Sequence, residues 1–157
     1  MANDRIGVGD TAPDFPLPPT PDGPSRLSGF QGKSEVVLFF YPKDDSPACR
    51  AEACAFRDSY GEIREAGAEV IGISAGTSES QEQFARKRKL PYRLVSDGKG
   101  TLRSLYKVPK TFGIIAGRVT YVIDRQGIVR HIFNSQFRPA KHVEEALKVL
   151  KNLQGQI

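Results

Sequence analysis

The chain has 157 residues, 39% hydrophobic and 26% charged, with 23 basic against 18 acidic side chains for a formal charge of +5. With no run of about 18 apolar residues, a membrane-spanning helix is excluded, and 1–157 reads as one soluble domain long enough to bury a substantial core. Two cysteines are too few for a disulfide scaffold, and with only two histidines besides, His131 and His142, both far along the chain, the spacing fits no tetrahedral zinc site.

The start, Met1-Ala2-Asn3-Asp4-Arg5, leads straight into Gly and Pro punctuation, without the apolar core of a signal peptide or an Arg/Ser-rich transit pattern, so a cytoplasmic location is expected. Prolines 13, 16, 18, 19, 21 and 24 make the first stretch an irregular extension rather than a separate domain. Val36 to Tyr41 is a continuous apolar, β-branched and aromatic run ended by Pro42, which suits a strand covered on both faces. After the polar Lys43-Asp44-Asp45, Ser46 is a good N-cap and Pro47 occupies the favoured first helical position. Ala53, Phe56, Tyr60 and Ile63 then recur at helical spacing, which predicts one helix as far as Gly67.

Val70 to Ile73 is a second short buried strand. Ser78 with Gln81 forms a capping box for a helix that runs to Arg86-Lys87-Arg88-Lys89, where basic side chains complement the negative helix pole. That cluster reads as a solvated helix end, and no nucleic-acid partner is expected. Tyr92 to Asp97 is a third strand, followed by a short helix over Thr101 to Tyr106. Thr120 to Ile123 and Ile128 to Ile132 flank Asp124-Arg125-Gln126-Gly127 as a hairpin. The last helix starts near Pro139 and puts Val143, Leu147, Leu150 and Leu153 on one face. Strands alternating with helices, then a hairpin, imply an α/β fold with a central mixed sheet flanked by helices.

Cys49 falls at the third helical position, among unpaired backbone N–H groups at the positive end of the helix dipole, which favours a thiolate over a thiol. The alternative is a small buried hydrophobe. Cys54 lies five residues on. On an intact helix such a pair has Cα atoms roughly 8.7 Å apart by standard helix geometry, whereas a disulfide spans about 4.4 to 6.8 Å. The two thiols therefore join only after local unwinding, the arrangement wanted by a redox cycle in which Cys49 reacts with something else first. The C-x-x-C spacing of a thioredoxin-type oxidoreductase is absent.

These residues resemble the peroxiredoxins, specifically the peroxiredoxin Q or bacterioferritin-comigratory-protein branch. Gly9 to Phe15 resembles the opening segment, and Leu27 through Lys33 the turn before the first core strand. Pro42 with Ser46-Pro47-Ala48-Cys49 resembles the active-site pattern P-x-x-x-[ST]-x-x-C. Glu52-Ala53-Cys54 and Phe56-Arg57-Asp58 continue it, and Gly117 to Asp124 resembles the segment carrying the active-site arginine, Arg118. Many members have threonine at the place of Ser46, glycine at that of Ala48 and threonine at that of Arg50; Arg50 adds positive charge beside the sulfur.

The resemblance implies a thioredoxin-like fold with an N-terminal extension, and a peroxidase that reduces hydrogen peroxide and organic hydroperoxides. Cys49 would be peroxidatic and Cys54 resolving, through an intramolecular disulfide recycled by thioredoxin or a similar dithiol. No cofactor, metal or membrane is implied, and an internal resolving thiol favours a monomer. A free thiol is already about 3% ionised at pH 7, so full ionisation gains only some thirtyfold. The rest must come from donors that hold the peroxide: Arg118, the Ser46 hydroxyl and backbone N–H groups, with Pro42 shielding the sulfur. Tyr41 is expected to line the pocket, with core packing as the alternative, while Ser46 could be only an N-cap and Pro42 only a strand end. Glu52 and Arg57 either pair with each other or orient Arg118, and the two histidines are expected to be surface or structural. The rival readings are a disulfide oxidoreductase without peroxidase activity and a basic binding module or holdase whose cysteines are incidental.

Overall fold

Residue Phe39, with no exposed surface, lies near the end of the strand on which the rest of the molecule is built. The computed structural model describes residues 6–18, 20, 23–108, 118–135 and 138–154. After a short 3-10 turn, Leu27–Phe30, strand β1 covers Glu35–Phe40, helix α1 Pro47–Asp58, helix α2 Tyr60–Glu65 and strand β2 Ala68–Ser74. Helix α3 covers Ser78–Arg88, β3 Arg93–Ser96, α4 Thr101–Leu105, β4 Val119–Ile123, β5 Val129–Asn134 and α5 Pro139–Gln154. The sheet order is β3-β2-β1-β4-β5. Strand β1 pairs parallel with β2 and antiparallel with β4, so it is central, as its unbroken apolar run requires.

Alternation along β1 divides its side chains between two cores. Val36, Leu38 and Phe40 join Ile71, Ile73, Val119 and Tyr121 beneath the N-terminal extension, with Phe15, Leu27 and Tyr106. Val37, Phe39 and Tyr41 join Val70 and Val122 beneath three helices, meeting Cys49, Ala53 and Phe56 of α1, Phe84 of α3, and Val143, Ala146 and Leu150 of α5. Each of these large side chains contributes about 1.5–3 kcal/mol by leaving water. The helices of this second face bring α1 and α5 together over the sheet.

Two expectations for the helices need correction. The predicted helix to Gly67 breaks at Ser59, where φ is −100° and ψ is 4°. Beyond the break the Tyr60 hydroxyl donates to Glu69 Oε1 at 2.8 Å, tying α2 to β2. For α3 the N-cap is Thr77, not Ser78: its hydroxyl accepts from Ser80 N at 3.0 Å. Gln81 does not reach back to the cap because it is buried, donating from Nε2 to Ser74 Oγ and to the Val95 carbonyl. The β4–β5 hairpin forms as predicted, with a register shift at Ile123. Its turn uses Gly127 at φ +81°, a left-handed conformation suited to glycine, and Asp124 Oδ1 accepts from the amides of Gln126 and Ile128.

Candidate active site

The segment between β1 and α1 is held from several sides by two aspartates. Asp44 accepts from the Tyr41 hydroxyl at 2.7 Å, from Ser74 Oγ at 2.9 Å and from Ser80 Oγ at 2.8 Å, stapling the loop to β2 and α3. Tyr41 is fully buried and packs in the core, so core packing is the reading that holds. Asp45 adopts a left-handed backbone at φ 58° and meets three cations: Arg88 at 2.9 Å, Arg50 at 3.2 Å and Lys87 at 3.3 Å. The hydrogen bond from Arg88, joined by that from Lys87, holds its carboxyl down at about 2. The basic run at the end of α3 is therefore more than a solvated helix end, and Arg50 points its charge at Asp45 rather than at the neighbouring sulfur.

Ser46 takes the N-cap position with extended dihedrals, and its carbonyl accepts the first helical bond from Arg50 N at 2.7 Å. Its side chain makes no cap; the hydroxyl donates to the Lys43 carbonyl at 3.1 Å instead. Pro42, half-buried, lies two residues beyond the end of β1. Cys49 is the third residue of α1 and 1% exposed, in the first turn, whose amides have no acceptor within the helix. Cys54 lies five residues along the same unbroken helix and is half-buried; both thiols are free. Between them the buried Tyr92 hydroxyl donates to the Ala53 carbonyl at 2.6 Å.

Arg118 enters this site from the residue before β4. Its guanidinium is 2% exposed and donates from Nη2 to Cys49 Sγ at 3.2 Å and from Nη1 to Glu52 Oε1 at 2.8 Å. Burial works against its charge, but Glu52 and Cys49 outweigh that and raise its proton affinity. Glu52 is fully buried, and burial pushes its carboxyl up to about 8 against the opposing pull of Arg118. The choice left open between Glu52 and Arg57 is thereby resolved: Glu52 binds Arg118, while Arg57 donates to Asp58 at 3.0 Å and to the Arg88 carbonyl at 2.6 Å.

His142, expected to be surface or structural, has no exposed surface and stands behind Glu52, with Nδ1 3.4 Å from Glu52 Oε2. A signal for this existed: His142, Ala146 and Leu150 are spaced four apart on the apolar stripe of α5. Likewise Glu52 shares the i, i+3, i+4, i+7 face of α1 with Cys49, Ala53 and Phe56. His131 is partly exposed and pairs with Glu145 at 3.0 Å. An open groove of about 710 Å³, lined in part by Arg26, Lys33, Arg64, Glu69 and Arg93, shares no residue with the cysteine site.

Comparison with known proteins supplies the class. The chain belongs to the AhpC/TSA family, whose family model matches residues 8–132. Its relatives narrow this to the peroxiredoxin Q and bacterioferritin-comigratory branch. "Peroxiredoxin Q, chloroplastic" of Sedum lineare is 47% identical over 150 residues, 95% of this chain and 80% of that protein. The crystal structure of peroxidoxin BcpB from Mycobacterium tuberculosis superposes with a TM-score of 0.84 at 37% identity, covering 94% of this chain and 98% of that one. The Xanthomonas campestris bacterioferritin comigratory protein, described with its alkyl peroxide reduction activity, superposes with a TM-score of 0.73 at 28% identity, covering 80% and 83%. The protein is accordingly a thiol peroxidase with the thioredoxin-like peroxiredoxin fold that the sequence motifs implied. The expected cytoplasmic location finds no support among the curated relatives, several of which, that of Sedum lineare included, carry chloroplastic names. Among the described residues no helix is long and apolar enough to cross a membrane.

Proposed function

We propose that the protein reduces hydrogen peroxide and organic hydroperoxides by an atypical two-cysteine cycle within one chain, with Cys49 peroxidatic and Cys54 resolving. The observation that carries this reading is the Arg118 donor at 3.2 Å from the Cys49 sulfur, which is itself at the N-terminal turn of α1. The Cys49 thiolate attacks the terminal peroxide oxygen: an S–O bond forms and the O–O bond breaks. Sulfur is oxidised by two electrons to a sulfenic acid, while the departing oxygen takes a proton and leaves as water or alcohol. Arg118 and the first-turn amides stabilise the charge on that oxygen. Ser46 turns its hydroxyl from the Lys43 carbonyl to the peroxide, and Pro42 limits the access of bulk solvent.

The first turns of α1 then unwind, bringing Cys54 to the sulfenic sulfur. An S–S bond forms and water departs. A dithiol reductant, thioredoxin or a protein like it, returns two electrons by thiol–disulfide exchange and is itself oxidised to a disulfide. Steady NADPH oxidation in the presence of thioredoxin and its reductase should require added peroxide and vanish in Cys49→Ser. Turnover that persists in this variant, or that proceeds on a disulfide substrate without peroxide, overturns the reading.

A further inference from the structure

The peroxidase reading uses Cys49 and Arg118 but leaves unexplained why a glutamate and a histidine share the dry interior behind them. Ser135 offers only a carbonyl to His142 Nε2, at 2.8 Å, so that nitrogen carries a proton. In the neutral ring Nδ1 then has only its lone pair, which accepts from the Thr120 hydroxyl at 2.7 Å. Glu52 Oε2 lies 3.4 Å from this electron-rich nitrogen, and that oxygen is buried with no hydrogen-bond partner among the described residues. An ionised oxygen there meets a lone pair and is repelled; a protonated one is attracted.

We propose that His142 is a positioning residue for the peroxidase reaction: it keeps one proton on the Glu52–His142 pair, so that the charge of Arg118 is left to the Cys49 sulfur. The inference rests on the peroxidatic role given to Cys49. Its physical basis is charge balance in a low-dielectric site. A thiolate at Cys49 and a guanidinium at Arg118 cancel, and a pair holding one proton adds nothing. Without that proton the cluster carries a buried negative charge, and Glu52 competes with the sulfur for the same guanidinium.

The charged and titratable groups around the pair come from every element packed on it. Helix α1 supplies Cys49 and Glu52; Arg118 enters just before β4; and Tyr92 faces Glu52 with a phenol that burial keeps protonated. On the α5 side Thr120 and Ser135 complete the polar shell of His142, and the Phe133 ring packs edge-on against the imidazole with centroids 4.7 Å apart. Burial, with the positive charge of Arg118, holds His142 down at about 4, while burial holds Glu52 up at about 8, so the proton resides on the carboxyl at neutral pH.

The test is the ultraviolet absorbance of the Cys49 thiolate in a Cys54→Ser background, followed across about pH 4 to 9. Four proteins are compared: this background alone, with His142→Phe, with Glu52→Gln, and with both. His142→Phe keeps an aromatic ring against Phe133 but removes Nδ1; it should lower the thiolate-to-thiol ratio at fixed pH by about three- to tenfold. Glu52→Gln, uncharged at every pH, should follow the background, and adding His142→Phe to it should change nothing further. An equal loss of thiolate with and without the Glu52 carboxylate overturns the proposal, because His142 would then act by packing alone; so does the absence of any loss in His142→Phe. If His142→Phe does not fold, His142→Leu, which also removes Nδ1, takes its place: a thiolate loss that Glu52→Gln abolishes supports the proposal, and no loss, or a loss that survives Glu52→Gln, refutes it. No peroxide enters these titrations, so they stand apart from the NADPH assay on which the peroxidase reading itself depends.

Discussion

Arg118 and Cys49, 69 residues apart in the chain, meet at 3.2 Å in the interior, and the other arm of the same guanidinium holds Glu52 at 2.8 Å. One side chain thus serves two partners of opposite value to the reaction proposed for Cys49: the sulfur it contacts, and a carboxyl whose charge would draw the arginine away.

Replacing Arg118 by methionine keeps much of the length and removes both donors. Single-turnover oxidation by peroxide should slow by about 10² to 10³, the usual cost of losing a charge-stabilising donor. Breaking a buried ion pair usually costs about 3–5 kcal/mol, but Glu52 escapes part of that by staying protonated. Denaturant unfolding at neutral pH should therefore show a loss below about 3 kcal/mol. A variant that oxidises at the parent rate would remove Arg118 from the reaction.

Cys54→Ser should consume one equivalent of peroxide, stop at the sulfenic acid, and turn over further only with small thiols. Mass spectrometry of the parent after one equivalent should find a loss of two hydrogens within one chain. A covalent dimer, or sustained thioredoxin-dependent turnover by the variant, would place the resolving thiol elsewhere.

Tyr92 clamps α1 one residue before Cys54 through the Ala53 carbonyl. Tyr92→Phe should cost about 1 kcal/mol, the net worth of one hydrogen bond, and should ease the unwinding that joins Cys49 to Cys54. Rapid-quench measurement should show faster disulfide formation after an unchanged oxidation step; slower formation would mean that Tyr92 assists the unwound state instead.

The Glu52–His142 pair also sets a pH dependence of stability. Glu52, raised from 4.5 to about 8, binds more protons folded than unfolded, so its contribution is complete below about 4.5 and is lost as pH rises towards 8. His142, lowered from 6.5 to about 4, has the opposite sign: its contribution is present above 6.5 and is lost as pH falls towards 4. The two slopes oppose each other between about 4.5 and 6.5, leaving a decline between 6.5 and 8 that belongs to Glu52. Unfolding free energies measured across that window should fall with pH in the parent and flatten in Glu52→Gln; a decline of the same size in the variant would assign the slope to other groups.

Much of the framework was legible because it is local. The apolar run of β1, the Ser46-Pro47 helix start and the four-spaced apolar positions of α5 all act within a few residues, and each formed where its pattern indicated. Local pattern failed where a different partner, sometimes only a few residues away, competed for the same group. Gln81 gave up its capping box for Ser74 and Val95, Arg50 turned from the sulfur to Asp45, and Ser46 used its hydroxyl on Lys43 rather than on the helix.

The sequence alone therefore determined the α/β order, and it placed the only two thiols on one helix, with Cys49 at its positive end, because these follow from spacing and from the geometry of a single helix. Only the tertiary structure decided what surrounds the sulfur. Packing α1 and α5 on the face of the sheet beside β4 brought Arg118, Glu52 and His142 together, and enclosing them in the core made every charge among them depend on the others.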